Sequence, residues 1–173
     1  MTTAHNADNL AVTGFRPDLQ AGIIDLILHI QNVEYQVGIS LDDQPDLLDI
    51  EGSYVSPGGG FWAALNDTGQ VIGTIGLQLK AEKIGVLKKF FVSADYRGGK
   101  SGCASRLFDT LLQFSQARGI ETILLDTPSV ATRSHAFYRR NGFRQISEAE
   151  LPVQYDYPNR DSLFFRRDTE QKP

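Results

Sequence analysis

The chain has a single cysteine, Cys103, a single methionine and a single tryptophan in 173 residues. A lone cysteine excludes an internal disulfide and agrees with a reducing compartment. No run of about 18 apolar residues is present to make a membrane-spanning helix. The opening residues, MTTAHNADNL, lack the basic and apolar stretches of a secretion signal. A soluble, cytoplasmic protein with no membrane partner is expected. The three histidines, His5, His29 and His135, are scattered, without ligand-like spacing among acids or the cysteine, so no metal site is expected. Basic residues are scarce in the first half. Residues 1–86 carry 3 Lys/Arg and 11 Asp/Glu (3 − 11 = −8), and residues 87–173 carry 14 and 10 (14 − 10 = +4), which together give the net charge of −4. Such an asymmetry suits a cationic ligand drawn to the first half and an anionic one held by the second, although uneven solvated charge would read the same way. Nucleic acid is disfavoured, because the basic residues are not interleaved with aromatics along one extended stretch.

A hydrophobic content of 41% suits one globular domain, taken as residues 10–168 between polar tails at 1–9 and 169–173. A first strand is expected at 10–15. Pro17 then suits the first turn of a helix, where its missing N–H costs nothing. That helix runs to about Tyr35, with Ile23, Ile27, Ile30 and Val33 as one buried stripe and Glu34 just beyond it. The acidic segment that follows predicts a turn at 42–45, a short helix over 46–54 and a flexible Gly58-Gly59-Gly60 connection. It either shapes a substrate mouth or is a solvated connector. Strands at 61–65 and 70–79 flank the turn Asn66–Gly69, and another follows at 84–93. Ala104, Leu107, Phe108, Leu111, Leu112 and Ser115 then recur at helical spacing up to Gly119. A buried strand at 122–125, a helix at 131–140 with Thr127 or Ser129 as its cap and Asn141-Gly142 as its stop, and strands at 143–146 and 162–166 complete the pattern.

Between the strand at 84–93 and the next helix lies a loop rich in glycine and basic residues. Backbone N–H groups at a helix start, with the positive end of the helix dipole, bind phosphate, and glycines let it approach closely. Two readings fit the letters. ADYRGGKS comes close to the loop of ATP-binding proteins, with Asp126 as a later acid, but Ala94 stands where the first glycine belongs. That loop would also follow a β-meander, with few βα units left to complete a doubly wound sheet. The second reading takes Arg97 with Gly102 and Ala104 at the opening of the helix.

On LKKFFVSADYRGGKSGCASRLFDTLL, followed by ILLDTPSVATRSHAFYRRNGFRQI, the chain resembles the acetyl-CoA-binding core of the GNAT acyltransferase superfamily over about residues 61–146. The usual spacing of that signature is shorter; here four residues separate Arg97 from Gly102. The resemblance implies an α/β (α+β) GNAT fold: a mixed, mostly antiparallel twisted sheet of six to seven strands with about four helices and a splayed parallel pair at 87–93 and 122–125. It implies acetyl-CoA as co-substrate, no metal, and as partner an amine-bearing small molecule or peptide, with a homodimer conceivable. Main-chain groups of Phe91 and Val92 would meet the pantetheine. Arg97, Gly98, Gly99, Lys100, Ser101, Gly102, Cys103 and Ala104 would wrap the pyrophosphate. Tyr138 corresponds to the tyrosine that protonates the departing thiolate; its other reading is an amphipathic ring packing a helix on the sheet. Phe137 and Phe143 read as core. Glu34 leads Asp43, Asp46 and Glu51 as candidate base, beside the reading of a solvated helix acid. Cys103 as an acyl-enzyme nucleophile is set aside, since the position needs only a small residue. His135 is expected at the surface, beside the reading that it touches acceptor or cofactor. The implied activity is N-acetyl transfer by direct attack in a ternary complex. The alternatives are an acyl-CoA sensor without turnover, or an ATPase or kinase using ADYRGGKS.

Overall fold

The computed structural model describes residues 9–99, 101–158 and 161–169. Its strands are β1 (Ala11–Gly14), β2 (Gly60–Leu65), β3 (Val71–Ala81), β4 (Ile84–Val92), β5 (Thr122–Pro128), β6 (Arg144–Ile146) and β7 (Ser162–Asp168). Its longer helices are α1 (Gln20–His29), α2 (Cys103–Ala117) and α3 (Thr132–Arg140). The strands hydrogen-bond in the order β1-β2-β3-β4-β5-β7-β6, a seven-stranded mixed sheet. No helix among the described residues is long and apolar enough to cross a membrane. The chain divides into two compact units, one comprising the residues up to Gln78 with Lys88–Phe114, the other Leu79–Leu87 with the residues from Ser115 on.

In the first unit β1 and β2 pair antiparallel from Ala11↔Leu65 to Gly14↔Trp62, and β2 pairs antiparallel with β3. The core gathers Leu19, Ile23 and Ile27 with Leu47, Ile50, Tyr54 and Phe61. Tyr54 meets Phe61 edge to face at 5.1 Å. Backbone packing is close at Gly59, where a Cβ would lie 2.0 Å from the carbonyl oxygen of Leu77. The expected flexible glycine connection is therefore a packed one, and Gly60 already opens β2.

Two further expectations fail in this unit. After α1 the chain widens into a turn with i→i+5 bonds, Tyr35 N–H donating to Ile30 O at 3.0 Å. The change of pitch rotates Val33 off the stripe and leaves it 62% exposed, while Ile23, Ile27 and Ile30 are buried. The expected helix over 46–54 is two short turns, Pro45–Leu48 and Glu51–Val55. Asp49 separates them at φ −144°, and its carboxylate accepts the Gly52 N–H at 2.9 Å in place of an intrahelical bond.

The second unit holds the parallel ladder, Ile84↔Thr122, Gly85↔Ile123 and Val86↔Leu124. β5 then pairs antiparallel with β7 along its whole length, and β7 with β6. Val86, Leu124, Ile146, Tyr155 and Phe164 form its core. β5 runs to Pro128, past the expected end at Leu125, so Thr127 lies in a strand and caps nothing. Ser129 donates instead to Asp161 at 2.6 Å, and α3 starts from Ala131 without a side-chain cap.

Candidate active site

The loop after β4 grows from local demands. A turn over Ala94–Tyr96 buries the Tyr96 ring, and Gly98 and Gly102 adopt φ of +94° and +64°, which glycine takes without a Cβ penalty. Arg106 N–H bonds to Gly102 O at 2.9 Å, so the N–H groups of the helix's first turn precede the intrahelical ladder. Ser101 Oγ donates to Tyr96 O at 2.5 Å and accepts the Cys103 N–H at 3.2 Å. The hydroxyl that an ATP-binding loop would aim at magnesium here caps the backbone. A Cβ on Gly98, Gly99 or Gly102 would meet no protein atom within 4 Å. The loop therefore presents main-chain groups to open space at the start of a 15-residue helix, a surface that fits an anionic pyrophosphate. Lys100 lies outside the described residues.

Cys103, buried at 1% exposure, faces inward: its Sγ would lie 3.0 Å from a Cβ on Gly73 of β3. Burial pushes its thiol up to about 11, against a smaller opposing effect of the Arg106 charge. It is a protonated packing residue, and its amide is taken by Ser101 Oγ.

Arg97 and Glu34, expected in separate roles, are brought together. The Arg97 guanidinium hydrogen-bonds to the Glu34 carboxylate, and its Nε donates to Val92 O at 2.8 Å. Arg97 thus fastens the loop to the end of β4 and to the turn after α1. Among the other candidate bases, Asp43 accepts the N–H and Oγ of Ser40 at 3.0 and 2.9 Å, bonds that hold its carboxyl below the usual range. Asp46 accepts the hydroxyl of fully buried Tyr54 at 2.6 Å. Glu51 is exposed.

The network around Asp46 was not visible in the sequence. Lys89 of β4 donates from Nζ to Gln44 at 2.5 Å and lies 3.8 Å from Asp46. Gln44 is buried and exchanges reciprocal amide bonds of 2.9 Å with Gln31. The only available signal was a lysine inside an apolar strand run.

In the second unit Tyr138 is buried on α3 against Phe143, Phe165 and Phe137, with ring centroids at 5.5, 5.9 and 6.1 Å. Phe143 is core as expected, and Phe137 is partly buried. His135 is not at the surface: it is 4% exposed, Nε2 lies 2.9 Å from Pro128 O, and its ring packs on Phe165. The bond to the end of β5 draws it inward. Asn141 donates to Phe137 O at 2.8 Å, and Gly142 follows at φ +89°, the expected helix stop. Among the described residues no group of three His, Cys, Asp or Glu is arranged to hold a metal.

A glycine loop between β4 and α2, a parallel β4/β5 ladder and the sequence FYRRNGF from α3 into its stop are the features of an acyltransferase fold. The chain belongs to the acetyltransferase (GNAT) family, whose family model matches residues 24–143. It is similar to the crystal structure of an acetyltransferase from Streptococcus agalactiae, with 36% identity and a TM-score of 0.88 over 93% of this chain and 99% of that one. A probable N-acetyltransferase camello of Xenopus tropicalis is 34% identical over 110 residues, 62% of this chain and 49% of that protein. An N-acetylaspartate synthetase of Danio rerio is 32% identical over 107 residues, 61% of this chain and 37% of that protein. The chain thus spans half or less of the length of these two curated relatives.

Proposed function

We propose that the chain is an N-acetyltransferase that moves an acetyl group from acetyl-CoA to a primary amine by direct attack in a ternary complex. The observation that carries this reading is the glycine loop 97–104, with its left-handed Gly98 and Gly102, its open face and the long helix behind it. When bound, acetyl-CoA supplies an activated thioester; everything else falls to the chain. The amides from Arg97 to Ala104, with the charge of Lys100, hold the pyrophosphate, and the backbone of Phe91 and Val92 holds the pantetheine arm. Tyr138 Oη supplies a proton to the leaving sulfur, and Glu34 takes one from the acceptor ammonium, which must be neutral to attack. The ion pair with Arg97 keeps the Glu34 carboxylate in a fixed place.

Residues 10–168 act as one domain in this reading, supported by a family match that runs through both units. The single cysteine supports a cytoplasmic setting. The acceptor is a small molecule or peptide amine. The name of the Danio rerio relative, an N-acetylaspartate synthetase, puts amino acids first among those to try. The test is CoA release, followed with a thiol reagent, over amino acids, polyamines, aminoglycosides and lysine peptides. Release with at least one amine supports the reading; measurable acetyl-CoA binding without release across the panel would favour a sensor instead.

A further inference from the structure

Lys89 is one of two non-glycine residues at positive φ among the described residues, at +54°, and it sits inside β4. A β-strand does not impose that conformation on a side chain with a Cβ, so its surroundings must hold it. They do so at both ends. The hydroxyl of Thr74, fully buried on β3, donates to the Lys89 carbonyl at 2.7 Å. At the other end the ammonium reaches across 45 residues of sequence to Gln44 at 2.5 Å and approaches Asp46 at 3.8 Å. Neither anchor is loose. Gln44 is clasped by Gln31 and also donates to Ser40 O at 3.3 Å; Asp46 is held by the buried Tyr54 hydroxyl at 2.6 Å. The Lys89 side chain is only 15% exposed and that of Asp46 20%, so the pair is screened less than a surface ion pair.

One side chain therefore fastens the acidic segment 40–48 to the strand whose next residues are Phe90, Phe91 and Val92. Along β4, Gly85, Val86 and Leu87 are buried in succession, whereas 88–92 are all half-buried. We propose that Lys89 is a positioning residue for acetyl transfer, holding the segment 40–48 against β4 as one wall of the acceptor mouth. The inference rests on the acetyltransferase reading above, and it assigns a role to a residue that touches neither reacting atom.

The test separates backbone from tether. Lys89→Gly keeps the left-handed backbone at no steric cost but removes the ammonium; Lys89→Arg keeps a cation. Each is compared with wild type for acetyl-CoA affinity, for kcat and KM toward the amine that turns over best, and for hydrogen exchange of residues 40–48. Lys89→Gly is expected to hold acetyl-CoA within about threefold of wild type, to raise the amine KM about tenfold or more, and to speed exchange across 40–48. Lys89→Arg is expected to recover most of the amine KM. A Lys89→Gly protein with unchanged amine KM and unchanged exchange at 40–48 would overturn the proposal while leaving the acetyltransferase reading intact. Wild-type protein that binds no acetyl-CoA would overturn both.

Discussion

Gly99 separates the needs of the fold from those of a ligand. It does not lie at positive φ, and a Cβ there would meet no protein atom within 4 Å. Gly99→Ala should therefore leave stability unchanged or raise it by about 0.4–1 kcal/mol through the unfolded chain. Gly102 has the same open space but sits at φ +64°. Gly102→Ala should cost about 1–2 kcal/mol for the left-handed backbone, a fall in Tm of about 2–8 °C at this chain length. If the loop cradles a pyrophosphate, a methyl on Gly99 intrudes on the ligand alone. With acetyl-CoA at about one hundred times its Kd, wild type gains about 2.7 kcal/mol from binding. A tenfold weaker site would keep about 1.4 kcal/mol of that, so the ligand-induced rise in Tm should be roughly halved. Paired thermal melts of wild type, Gly99→Ala and Gly102→Ala, with and without acetyl-CoA, give both quantities. A Gly99→Ala protein that keeps the full ligand-induced rise would refute the placement of the pyrophosphate over this loop.

Four further outcomes follow from the same geometry. Tyr138→Phe keeps the ring contacts with Phe143 and Phe165, so acetyl-CoA affinity should hold while kcat falls about 10²-fold or more; an unchanged kcat would remove the hydroxyl from the chemistry. The buried Cys103 thiol, pushed up to about 11, should alkylate slowly near neutral pH in the native protein and rapidly once unfolded, and Cys103→Ala should keep turnover. A folded but inactive Cys103→Ala would instead revive a covalent route. Gly59→Ala forces a Cβ to within 2.0 Å of a backbone oxygen, which no side-chain motion relieves, and should cost about 3 kcal/mol or more in a denaturant titration. At Asp168 burial acts to raise the carboxyl, but hydrogen bonds from Arg166 and Thr122 and the charges of Arg166 and Arg144 outweigh it and hold the group below its ordinary value. Its stabilisation is complete above that ordinary value, about 3.9, and is lost as pH falls through the depressed one. Stability measured against pH should thus fall less steeply on the acid side in Asp168→Asn than in wild type.

The features legible in the sequence were those imposed by neighbouring residues on the backbone. The glycine-rich loop before α2, the Asn141-Gly142 stop and the helical spacing of Leu107, Phe108 and Leu111 each follow from local chemistry, and the family resemblance rested on Arg97, Gly102 and Ala104 with FYRRNGF. What escaped depended on contacts distant in sequence or on small changes of pitch. Nothing beside Lys89 announces Gln44, or beside Arg97 announces Glu34, 63 residues away. Val33 fits the apolar stripe until the chain widens after His29. His135 looks like a surface residue until the end of β5 supplies an acceptor for its ring. The acidic segment read as one helix because its pattern carries no warning that Asp49 turns its carboxylate back onto Gly52.

The identity of the anion on the loop is tested most directly by thermal melts of the wild-type protein with acetyl-CoA, with CoA and with ATP–Mg²⁺. Stabilisation by both CoA species and none by ATP–Mg²⁺ is the predicted result; stabilisation by ATP–Mg²⁺ and by neither CoA species would contradict it.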